Sequence, residues 1–96
     1  KIKNMTNKFL IKLVNAIFAN DFDTVREYIY ELSTINIEKP DILNLIFRKI
    51  LSCDIKESSK FTLTHIFSLY SSRIAKSNRG VTHIEAACLE CMNLFI

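Results

Sequence analysis

Glycine and proline are nearly absent from this chain: Gly80 and Pro40 are the only examples in 96 residues. Many-stranded sandwiches and barrels need both residue types at their turns, so the shortage excludes them and favours helices. Cysteine is scarce too, and Cys53, Cys88 and Cys91 make an odd set. Small secreted domains carry dense, even cysteine frameworks, so a reducing compartment, the cytoplasm, is expected instead. No apolar run approaches the roughly 18 residues of a membrane span. The longest candidate, Phe9 to Ala19, is interrupted by Lys12 and Asn15, and Lys12 also spoils the apolar centre of a signal peptide. Nor does one sign of charge dominate: 13 basic and 10 acidic residues are interspersed and leave +3. That is too mild for a nucleic-acid footprint, so neither nucleic acid nor membrane is expected as a partner.

What is present describes a folded domain. Apolar residues make up 49% and charged residues 24%, far from the signature of disorder and enough for one continuous core. The opening at Lys1 and the apolar ending Leu94-Phe95-Ile96 lead us to expect a piece of a longer protein. Richness in Ile, Lys, Asn and Ser without Trp matches the AT-rich coding of some viruses, intracellular bacteria and protozoa, in which case the cytoplasm would be a host's.

Periodicity predicts five helices. From about Asn4 to Ala19, Phe9, Leu10, Leu13, Val14, Ile17 and Phe18 share a face opposite Lys8, Lys12 and Asn15. Asn20 suits the left-handed end of that helix, and Asp21 or Asp23 can cap the next, from about Thr24 to Leu32, with Val25, Tyr28, Ile29 and Leu32 inward. Pro40 fits a first helical position and Asp41 the positive end of the dipole. The third helix then buries Ile42, Leu43, Leu45, Ile46, Ile50 and Leu51. A fourth starts near Lys60 with Phe61, Ile66, Phe67, Leu69, Tyr70 and Ile74 inward, and stops at Ser77 to Gly80. Thr82 and Glu85 read as a capping box opening a fifth helix, whose inward residues are Ile84, Ala87, Cys88, Cys91, Met92 and Phe95. The expected organisation is one all-α domain, or a fragment of a longer helical array, with pairs over about 4–32 and 40–76 and a lone helix over 82–96.

That rhythm of pairs carries a family resemblance. The stretch Leu13-Val14-Asn15-Ala16-Ile17-Phe18-Ala19-Asn20-Asp21-Phe22-Asp23-Thr24-Val25-Arg26-Glu27-Tyr28-Ile29 resembles the ankyrin-repeat pattern L-H-x-A-A-x-x-G-H-x-E-V-V-x-x-L-L, with Ala16, Asp23, Val25 and Ile29 in character and Asn20 in place of Gly. Gly80-Val81-Thr82-His83-Ile84-Glu85-Ala86-Ala87-Cys88 is similar to G-x-T-P-L-H-x-A-A, with His83 in place of Pro. Leu13 and Ile84 then stand about two repeat periods apart, with Phe47 as the middle equivalent. Roughly 30 residues carry the resemblance. It implies a short stack of helix-turn-helix pairs that binds another protein through turn tips and the exposed side of each first helix, which puts Lys8, Lys12, Arg48, Lys49 and His83 on the contact face. A stack would also leave a raw apolar edge at Met92, Phe95 and Ile96, through which copies could associate. A different helical repeat and a compact helical bundle remain open alternatives.

Little in the sequence suggests catalysis. Cys88-Leu89-Glu90-Cys91 puts two thiols on one helical face, where they could share a zinc ion, but a structural zinc needs four ligands and only Cys53, His65 and His83 remain to complete the set. Packing as small hydrophobes is the expectation for both. His65 falls in the inward stretch of the fourth helix and His83 near the start of the fifth, and no Ser-His-Asp or Cys-His set, phosphate-cradling loop or H-E-x-x-H motif accompanies them. We therefore expect no enzyme on this chain and no cofactor or metal. The expected function is a protein-protein interaction module. The alternatives are a substrate-recognition or regulatory domain of a larger enzyme or pathogen effector, and a compact bundle that sequesters a partner helix.

Overall fold

The structure is a computed structural model that describes residues 2–35, 37–76 and 80–95, with side chains from residue 6 onward. The described residues are all-α: α1 (Ile2–Phe18), α2 (Phe22–Thr34), α3 (Lys39–Leu51), α4 (Glu57–Ala75) and α5 (Gly80–Leu94).

Local chemistry sets the turns. Asn20 adopts φ 59°, the left-handed conformation expected of it. Its amide donates to the carbonyl of Ile17 at 3.1 Å, and the Asp21 amide donates to that of Ala16 at 2.9 Å, which satisfies carbonyls that the end of α1 would otherwise leave open. Asp21 then caps α2: its carboxylate accepts from the Thr24 amide at 3.3 Å and from the Thr24 hydroxyl at 2.6 Å. Pro40 lies in the first turn of α3 with Asp41 beside it, as their chemistry predicts.

Two hairpins result, α1 with α2 and α3 with α4, and α1 also packs on α3. Leu13, Ile17, Val25, Ile29 and Leu32 are fully buried in the first hairpin, and Ile42, Ile46, Ile50 and Leu63 in the second. Aromatic pairs fasten them: Phe9 against Tyr28 at 5.8 Å between ring centres, and Phe47 against Phe67 at 4.9 Å. Each fully buried aliphatic side chain contributes about 1.5–3 kcal/mol relative to leaving it in water.

The fifth helix has more neighbours than a lone terminal unit would. It packs against α1, α2, α3 and α4, whereas a strict succession of layers would set it against the second pair alone. The radius of gyration, 12.3 Å, equals that of a closed domain of this length, about 12–13 Å. Nothing in the arrangement is specific to ankyrin repeats. With both hairpins around it, α5 buries Ile84, Ala87, Cys88, Cys91 and Met92.

Several expectations need correcting. Met92 is 2% exposed, whereas Phe95 is half-buried with its ring on Phe18 at 4.8 Å, so the expected raw edge is covered at Met92 and partly open at Phe95, and Ile96 lies outside the described residues. Phe61 is 85% and Leu69 42% exposed, because the stripe that faces the core is Leu63, Ile66, Phe67, Tyr70 and Ile74. Phe18, expected inward, is 38% exposed at the end of α1. α4 begins at Glu57, before Lys60. Thr82 and Glu85 lie inside α5 and do not open it, since that helix already runs from Gly80. Gly80 itself is buried with no positive φ, and a Cβ there would stand 2.5 Å from Cγ and 2.8 Å from Cβ of Lys39. Its role is to admit the stem of Lys39 at the junction of α3 and α5, not to supply a permissive turn. The stop expected at Ser77 to Arg79 lies outside the described residues.

Candidate functional site

The sequence of α1 holds no acid: the first twenty residues contain neither Asp nor Glu. Burial of Leu10, Leu13, Val14 and Ile17 turns Lys8 and Lys12, one helical turn apart, out to solvent. α3 packs beside α1, and its last turn carries Arg48 and Lys49. Arg48 is exposed, while Lys49 is half-buried and donates from Nζ to Asn7 Oδ1 at 3.4 Å, which ties the last turn of α3 to the first half of α1. On the other flank Lys12 Nζ lies 6.0 Å from the centre of the Tyr28 ring, at the outer range of a cation–π contact. The structure thus brings Lys8, Lys12, Arg48 and Lys49 onto adjoining faces of two packed helices. His83 is half-buried on α5.

Two ion pairs occur among the described residues, and neither engages these cations: Arg26 with Glu85 at 3.2 Å, and Lys60 with Glu57 at 3.5 Å. Lys8, Lys12, Arg48 and Lys49 therefore stand outside both pairs. α2 and α5 present the opposite charge, where Asp23, Glu27, Glu31 and Glu85 line an open cleft of about 320 Å³ with Arg26 and Tyr30. Sequence reasoning missed that cleft because it assigned Glu85 to a cap. It also missed a second hollow, of about 390 Å³, formed where the ends of α1 and α5 meet the link before α4, with Phe18, Ile55, Leu94 and Phe95 as apolar walls and Asp54 and Lys56 at the rim. Exposed Phe18 was the available signal, hidden by its fit to the inward period of α1.

The cysteines are core residues. Cys88 and Cys91 are fully buried and unlinked, and Cys53 is half-buried with its thiol donating to the Lys49 carbonyl at 3.4 Å. Burial pushes the Cys88 thiol well above its ordinary value, helped by Cys91 and Glu85, and burial beside Glu90 pushes Cys91 up to about 12. Neither is a thiolate near neutral pH, so neither is poised as a nucleophile. Among the described residues no three His, Cys, Asp or Glu side chains gather into a group that could hold a metal ion, so Cys53, His65 and His83 do not complete a set with the pair. His65, expected within the inward stretch of α4, is exposed.

α4 and α5 are fastened by one polar clasp: the Tyr70 hydroxyl donates to a Glu90 carboxylate oxygen, with the Arg73 guanidinium 5.0 Å from the Tyr70 ring centre. The bond to Glu90 and burial raise the Tyr70 hydroxyl above its ordinary 10.0. No helix among the described residues is long and apolar enough to cross a membrane. Comparison with protein-family models and with curated proteins finds no match to this chain.

Proposed function

We propose that this chain is a protein-interaction module that recognises a partner protein through exposed side chains of its paired helices. The observation that carries this reading is the set Lys8, Lys12, Arg48 and Lys49, held on adjoining helices and outside both ion pairs of the described residues. Cations presented on a packed scaffold steer a complementary partner and fix its register at little ordering cost to the scaffold. His83, half-buried near the start of α5, belongs to the proposed contact set through the repeat resemblance alone. Unlinked cysteines support the cytoplasm as its place of work.

A second reading has its own support. Because α5 packs against both hairpins, the chain also suits a compact bundle that holds a partner helix on its outside. Both readings give recognition to surface side chains and ask no catalysis of this chain.

Arg48→Glu with Lys49→Glu tests the contact face. Partner binding, measured by interferometry on a partner isolated through proximity labelling, is expected to weaken at least about tenfold with an unchanged helical circular dichroism spectrum. Unaltered binding would remove these two residues from the face.

A further inference from the structure

Two apolar residues stand among the cations of α1. Ile11 is 41% and Phe18 38% exposed. They are seven residues apart, about 10.5 Å along the axis, and Lys8, Ile11, Lys12, Asn15 and Phe18 fall within a band roughly 120° wide at 100° per residue. Lys12 borders this band on the α2 side, above Tyr28, and Lys49 borders it on the α3 side, at Asn7. At its far end Phe18 forms a wall of the 390 Å³ hollow lined by Ile55, Leu94 and Phe95. The hollow is open to solvent and wide enough to receive one bulky side chain.

We propose that this band is the docking site for an acidic amphipathic helix of a partner protein, which pairs its carboxylates with Lys8, Lys12 and Lys49 and seats one bulky apolar side chain against Phe18 in the hollow. The inference rests on the interaction-module reading and assigns the partner its chemistry. Charge complementarity selects the sign, because no acid occurs before Asp21 and both described ion pairs lie elsewhere. The alternation of apolar anchors and charges at helical spacing selects a helix, which would lay a matching stripe along α1. Single-stranded RNA fits less well. Stacked bases need free ring faces, and the rings of Phe18 and Phe95 are already packed on one another at 4.8 Å. A lipid surface would need a broader apolar face than Ile11 and Phe18 provide.

Panning a random peptide display library, in peptides of about four helical turns, against the folded chain tests the proposal. Enriched peptides are expected to be net acidic with bulky apolar residues at helical spacing. Their affinity is expected to fall with added salt and by about tenfold in Lys8→Glu/Lys12→Glu and in Phe18→Ser. Ile11→Glu is a second variant should Phe18→Ser unfold, and Phe61→Ser is the control that leaves binding unchanged. Binders that are basic or neutral, or that ignore the α1 variants, would overturn this inference and leave the module reading standing. The absence of any enriched binder would overturn both. Tighter binding of a single-stranded RNA oligonucleotide or of phosphatidylserine vesicles, or sedimentation as a dimer lost in the α1 variants, would give the face to another occupant and overturn the inference as well.

Discussion

The thiols of Cys88 and Cys91 lie one helical turn apart inside the core, and their protonation is tied to folding. Both are raised above the ordinary 9.0, Cys88 far above and Cys91 to about 12, with burial the main cause. A raised folded value means the stability it confers is fully present below about pH 9 and is lost as pH rises toward the folded values. Between those limits each thiol should reduce unfolding stability by roughly 1.4 kcal/mol per pH unit. Urea midpoints are expected to be flat from pH 7 to 8 and to fall steeply above about pH 9, and a Cys88→Ala/Cys91→Ala variant should show a shallower fall. Tyr70, raised through its bond to Glu90, adds to the decline from about pH 10 upward. Sequence alone made both cysteines core residues, because i, i+3 spacing with Ile84 and Ala87 leaves them on the apolar stripe. It could not show how completely α5 would be surrounded.

Elements were legible where a local rule decides them and obscure where packing does. Asn20 was readable because it satisfies the last carbonyls of α1, and the cap of α2 was narrowed to Asp21 or Asp23, of which Asp21 takes the first amides. Asp21→Ala should cost about 1 kcal/mol by thermal or urea unfolding. Asn20→Gly, which relieves a left-handed backbone without touching that cap, should be neutral or stabilising by up to about 1 kcal/mol. α4 was harder. Its apolar residues surround much of the helix, so period alone could not choose between Phe61 and Leu63, and contact with α3 and α5 made the choice. Glu85 obeyed the capping-box pattern in sequence yet pairs with Arg26 across to α2, a partner that only the fold brings near.

At the scale of the molecule, α5 is the piece that turns two hairpins into one core. A chain ended before Gly80 is expected to lose its cooperative urea transition, whereas the intact domain should unfold in one step with coincident circular dichroism and fluorescence curves. Lys8, Lys12 and Arg48 were legible as surface residues, since each faces away from an apolar stripe, whereas Lys49 is half-buried against α1. Their gathering on α1 and α3, and the opposing acidic cleft of α2 and α5, were not, because charge interspersed along the chain becomes segregated only when helices distant in sequence pack side by side. The hollow at Phe18 belongs to the same class of feature, made by the ends of two helices and a link.

The contact of Lys39 with Gly80 has an evolutionary corollary. Any methyl group added at position 80 meets the inner stem carbons of Lys39, not its flexible tip, so the two sites share a single small volume. Among related chains, glycine at the later site should persist whatever the length of the side chain at the earlier one, because even a shortened residue keeps the β-carbon that would stand 2.8 Å away. Drift away from glycine at the later site would mean that the start of α5 sits farther from α3 than described.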